Sequence, residues 1–147
     1  MPVLGLEADA RVRHRGFEAR AVFATFSIGD TAGLREAVDD AGDSLGIDVR
    51  SRTIGMYAEV AYDVLRLMTE TDQQLLPFFR AEHWDTAVRL GGGRRPANDA
   101  LRATDWVFGL SYRPITQVVV KANFILRDPG GTGPVNRLVD FGVGWMF

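Results

Sequence analysis

Long stretches of period-two alternation constrain this 147-residue chain more than any other feature. From 53 to 64, Ile54, Met56, Ala58, Val60, Tyr62 and Val64 fall on one side, and Thr53, Gly55, Tyr57, Glu59, Ala61 and Asp63 on the other. Near the amino terminus Leu4, Leu6, Ala8, Ala10 and Val12 alternate with Gly5, Glu7, Asp9, Arg11 and Arg13. A period of two at such length specifies a strand with one apolar and one polar face. Further strands are predicted over 17–28, 75–88, 104–113 and 116–127. In the 75–88 segment both faces mix apolar and polar residues, so its facing stays open. A seventh strand ends the chain, with apolar residues at 139, 141, 143, 145 and 147 opposite Asp140, Gly142 and Gly144.

Segments of about ten residues exceed the usual soluble strand of five or six. Ten residues is about what a tilted strand needs to cross a hydrocarbon layer. The connections alternate as well. They are short at 14–16, intermediate at 65–74 and short at 113–115, where Pro114 marks the turn; they are long at 29–51, 89–103 and 128–137. Membrane barrels have short turns on one side and long loops on the other. The expected fold is therefore an all-β, antiparallel up-and-down transmembrane β-barrel. Seven strands is an odd number, and an unpaired edge cannot persist in lipid. The chain reads as a single partial domain over 1–147, the C-terminal portion of a larger barrel. Trp84, Trp106, Tyr112, Trp145 and Phe147 fall near predicted strand ends, where an aromatic belt meets the headgroups. Val120 and Val143 are expected to face lipid near the midplane.

Composition excludes several alternatives. A net charge of −2 does not suit a nucleic-acid binder. Zero cysteines remove disulfides, zinc–thiolate sites and thiol catalysis. No run of 18 apolar residues marks a membrane helix, and a mean hydropathy near zero is compatible with alternating strands. Residues 1–7 lack a basic region and an apolar core, so they are not a signal peptide. Either an export signal has been removed or the chain is part of a longer one. The polar, acidic segment 29–51 has room for a short helix over 31–41. Its acids do not follow the spacing of a calcium loop. His14 and His83 are far apart and lack metal-ligand spacing. No nucleophile elbow or phosphate loop appears, and the Gly91–Gly93 run lacks a strand-to-helix setting. The Asp39–Asp40 pair has no apolar pocket to split its pKa values. No enzyme activity and no cofactor are expected.

The closing run Asp140, Gly142, Trp145, Phe147 resembles the C-terminal signal that outer-membrane β-barrels present to their assembly machinery. A wider likeness rests on Ala19–Ala24 after an Arg-Gly-Phe turn, on Met56–Val64 and Leu76–Thr86, on Leu110–Pro114 and Val118–Asn123, and on Gly142–Phe147. In order and spacing these resemble the C-terminal half of the phosphate-selective porin O and P family of Gram-negative bacteria. The resemblance implies a 16-stranded barrel in the outer membrane, a homotrimer when full length, that passes small hydrophilic solutes, often anions such as phosphate. Its partners would be outer-membrane lipids and the barrel-assembly machinery. The N-terminal strands and the inward-folded basic loop of that family have no counterpart here, so phosphate preference does not transfer.

If the apolar faces meet lipid, the polar faces line water. Arg11, Arg13, Arg20, Glu59, Arg80, Glu82, Arg113, Lys121 and Asn123 are then pore-lining, together with Glu7, Asp9, Glu18, Asp63, Asp105 and Asp140. Arg20, Arg80, Arg113 and Lys121 are the best candidates for anion contacts, since rings of charge set pore selectivity. Alternatively they pair with acids on neighbouring strands and stiffen the wall. Two rival readings of the whole chain are a soluble lipocalin-like barrel with an apolar ligand inside, and a truncated fragment without function.

Overall fold

The computed structural model describes residues 2–29, 50–68, 71–90, 101–130 and 133–146. They form one antiparallel sheet of seven strands: β1 Val3–His14, β2 Phe17–Ile28, β3 Arg50–Tyr62, β4 Gln74–Leu90, β5 Arg102–Ile115, β6 Val118–Pro129 and β7 Asn136–Trp145. Each strand pairs only with its neighbours in sequence. The meander is open, with β1 and β7 at its edges. The helix expected over 31–41, the acids at 39, 40, 43 and 48, Gly91–Gly93 and Phe147 lie outside the described residues.

The strands turn where backbone chemistry allows it. Arg15 (φ 48°) and Gly16 (φ 86°) both take positive φ, the requirement of a two-residue hairpin turn whose twist matches its strands. The Gly16 carbonyl also accepts from the Asp63 amide at 2.9 Å, tying this turn to the end of β3. At the β5–β6 hairpin the turn falls at 116–117, two residues beyond the position expected from Pro114. Pro114 instead sits inside β5, in the register shift between Tyr112 and Ile115. A bulge leaves a residue unpaired, so a proline without an N–H costs no ladder bond there. Pro77 is placed by similar logic, one residue beyond the last β3–β4 pair.

Register gathers the side chains into two unlike faces. One carries rows such as Val12–Ala19–Val60–Phe79–Phe108–Phe124–Val139. The other carries Arg11–Arg20–Glu59–Arg80–Val107–Ile125–Leu138. The sheet curls around the second, charged face. Arg113 on β5 reaches Glu18 on β2 at 3.3 Å. Three strand spacings separate them, about 14 Å on a flat sheet. At the same end Arg13 of β1 lines a cavity of about 580 Å³ with Gly144, Trp145 and Met146 of β7. Most burial follows the curl: Leu76, Ala103, Asp105, Val107 and Ser111, all on the concave face, are buried, while Thr25 and Ala87 are buried toward the long-loop ends of β2 and β4. The convex face leaves its apolar side chains out, with Val139 at 63%, Phe141 at 80% and Trp145 at 63% exposure. This is the reverse of a soluble sheet, which turns its apolar face to the core.

The ladder rows climb relative to the strand ends. The row through Ala8, Phe23, Met56, His83, Thr104 and Asp128 starts mid-strand in β1 and finishes one residue from the end of β6. Such a climb is the signature of strands tilted against a common axis. It also moves three expected positions. Trp84 shares the concave face with Arg80 and Glu82, because β4 pairs with β3 without a register shift from Phe78 to Asp85. Trp106 lies within β5, stacked on Phe79 (centroids 5.9 Å, 16°), and is not at a strand end. Val120 and Val143 pair two residues from the short-turn ends of β6 and β7, away from mid-strand. Tyr112 and Trp145 do lie at the short-turn end of the convex face, where the Tyr112 hydroxyl donates to Gln73 Oε1 at 2.7 Å.

Candidate functional site

Among the described residues, most of the charge within the strands gathers on the concave face. Its centre is built on β3, the strand whose alternation is cleanest. Arg80 on β4 donates through Nε (2.9 Å) and Nη2 (2.6 Å) to Glu59 Oε2 on β3. Diagonal to this pair stands Tyr57, with the Arg20 guanidinium 5.4 Å and the Arg80 guanidinium 4.9 Å from its ring centre. A cation within about 6 Å of an aromatic ring centre is attracted by the ring's quadrupole. Arg11 is directly opposite Arg20 in the ladder. Like charges in that relation repel, and the acids beside them are Glu18, 4.0 Å from Arg11, and Glu59, opposite Arg20.

A second centre lies toward the long-loop end. Arg127 on β6 grips Asp105 on β5 in a fork, Nε to Oδ1 at 2.9 Å and Nη2 to Oδ2 at 2.7 Å. Asp105 is only 5% exposed, and a buried carboxylate requires such a charge-assisted partner. A third centre, at the short-turn end, surrounds Glu18. It accepts from Arg113 and faces Arg13 at 3.3 Å and Arg11 at 4.0 Å. Gln74 Oε1 accepts from the same Arg113 nitrogen at 2.9 Å.

Every residue expected to line a pore and described here, Asp63 apart, lies on this face. Glu82 faces Arg80 at 3.8 Å. Lys121 places its ammonium 5.8 Å from the Phe78 ring centre. Asn123 Oδ1 is buried and makes no hydrogen bond to the described residues, and neither does Arg20 Nε. Cross-strand pairing and wall charge are thus both present: Arg80 and Arg113 are paired, while Arg20 and Lys121 rest against aromatic rings. Asp63 is a correction. Its Oδ1 accepts from the amides of Leu65 (3.3 Å) and Leu75 (3.2 Å), folding it into the β3–β4 turn instead of the wall. Of the terminal run, Asp140 lies on the concave side, Gly142 is on the same face, and Trp145 is convex.

Sequence reasoning missed the Tyr57 bracket and the partner of Asp105. Tyr57 sits two residues from Glu59 on the same face, which was visible. That two arginines from flanking strands converge on it required the register.

Phe78 shows how closely the face is fitted. Its ring lies across Gly109, in the space a Cβ would need. A glycine in a strand commonly marks such a close approach.

Among curated proteins the chain is similar to an uncharacterized protein of Aquifex aeolicus (strain VF5), 31% identical over 97 residues. The match covers 65% of this chain and 21% of that relative, so the shared part is about a fifth of it. No protein-family model and no solved structure matches.

Proposed function

We propose that this chain is the C-terminal part of the wall of an outer-membrane porin, and that it works by passive diffusion of small hydrophilic solutes past its concave face. The observation that carries the reading is the inverted polarity of the sheet. It curls around Arg, Lys, Asp and Glu and leaves Phe, Val, Leu and Trp outside. In water that arrangement forfeits the burial of the apolar face, at about 25 cal/mol for each Å² left wet. In a bilayer it is the required one. Strands of 10 to 17 residues are long enough to span the hydrocarbon. A soluble barrel holding an apolar ligand would need the opposite facing.

On this reading the open edges β1 and β7 are completed by strands of the longer polypeptide, as the O and P porin family implies. The lipids of the outer membrane cover the convex face. The assembly machinery reads Asp140, Gly142, Trp145 and Phe147, and the full-length protein trimerises.

These 147 residues hold no cysteine, so in a background with any others removed a labelling test reports only the introduced sites. Single cysteines placed along β6 at 121, 122, 123 and 124 in the membrane-embedded protein are exposed to a water-soluble and to a lipid-soluble thiol reagent. Alternating reactivity is expected, with Lys121→Cys and Asn123→Cys reached from water and Ala122→Cys and Phe124→Cys from lipid. Uniform labelling by the water-soluble reagent would overturn the reading.

A further inference from the structure

The charges of the concave face are sorted along the strands. Six of them lie within three residues of a short-turn strand end: Arg11, Arg13, Arg20, Arg113 and Lys121, against Glu18. Their sum is +4. Asp63 lies below them, held in the turn. Six others lie five or more residues from that end: Glu7, Asp9, Glu82, Asp105 and Asp140, against Arg127. Their sum is −4. Glu59 and Arg80, bonded to each other, lie between the groups and cancel. The face is thus basic toward the short turns and acidic toward the long loops, although its total is zero. The two groups are centred about five residues apart, about 13 Å along the axis for strands tilted by about 40°.

We infer that this axial charge separation makes the passage a rectifier. The inference rests on the porin reading above. Wall charge attracts mobile ions of opposite sign to its own half. When the long-loop side is electrically positive, cations enter through the acidic half and anions through the basic half. Both kinds accumulate between the halves, and conductance is high. When the polarity is reversed, each kind leaves through the half that favours it. The middle of the passage is depleted, and conductance is low. The separation of about 13 Å exceeds the Debye length of about 10 Å at 0.1 M salt and greatly exceeds the 3 Å at 1 M. The asymmetry is therefore a low-salt property.

The test is current through single channels of the full-length protein in a planar bilayer, at equal and opposite voltages, in about 0.1 M and about 1 M potassium chloride. Thr116→Cys, in the β5–β6 turn, reports orientation through the chamber from which an impermeant thiol reagent alters the current. Expected is a larger current with the long-loop chamber positive, by roughly twofold in low salt and vanishing in high salt. Replacing Arg13, Arg113 and Lys121 together by Gln should move the ratio toward one. Should that variant fail to assemble, the salt dependence of the unmodified channel still decides the matter. Equal currents in low salt, or the opposite sign, overturn the inference and leave the porin reading intact. Absence of conductance at any voltage overturns the porin reading itself.

Discussion

An arginine on the convex face of β7 should destabilise the protein according to its depth. Val139, Phe141, Val143 and Trp145 are the outward residues of this strand. Each residue of a strand tilted by about 40° rises about 2.6 Å along the membrane normal. With Trp145 at the headgroup level, Val143 lies about 5 Å inside and Val139 about 16 Å inside an apolar band about 25 Å tall. Val139 is thus within about 4 Å of the centre. Arg there costs about 2–4 kcal/mol, and near the interface about 0–1 kcal/mol. Val139→Arg should therefore be less stable than Val143→Arg by about 2 kcal/mol, roughly thirtyfold in the folding equilibrium. Asp140→Arg, one residue away but facing inward, should be close to neutral. The assay is equilibrium unfolding by urea from phospholipid vesicles, followed by tryptophan emission and by the gel mobility of the folded form. A Val139→Arg variant as stable as Asp140→Arg would refute the assignment of the convex face to lipid.

Other expectations follow from single contacts. Gly109→Ala puts a methyl group into the space of the Phe78 ring and should cost about 1–3 kcal/mol in the same unfolding assay. Arg127→Met leaves Asp105 buried without its fork and should cost about 2 kcal/mol, reduced from a fully buried case because Arg127 is part-exposed; Asp105→Asn in the same chain should recover most of the loss. A double-mutant cycle on Glu18 and Arg113 should return a coupling of about 1 kcal/mol, and no coupling would show that their contact does not hold the curl. Gly16→Ala, at φ 86°, should cost about 1 kcal/mol.

The strands were legible because alternation is a local property that burial enforces on both faces. β2 begins and ends at the residues that the sequence picks out. What stayed hidden depends on neighbours. β4 mixes Phe78 and Trp84 with Arg80 and Glu82 on one face, so composition could not choose its side. Its pairing with β3, whose facing is unambiguous, does. Pro114 looked like a turn because proline usually breaks strands, but a bulge gives it a place inside one. Asp63 continued the polar alternation of β3 and then left it, drawn off by two amides of the turn. Of the site, the residue types could be read and the partners could not. Arg20 and Arg80 are sixty positions apart in sequence, and only the ladder sets them on either side of Tyr57. The axial sorting of charge is of the same kind, since it compares positions measured from the ends of different strands.

A sheet in which every strand pairs only with its neighbours in the chain has a modular wiring. No contact depends on a crossover, so a hairpin can be gained or lost anywhere without rerouting the rest. Removing two consecutive strands leaves the edges pointing as before, and inserting two does the same; only a change by one reverses an edge. Circumference is then a quantity that duplication can adjust in steps of two. The long loops can diverge without disturbing the wall that carries them.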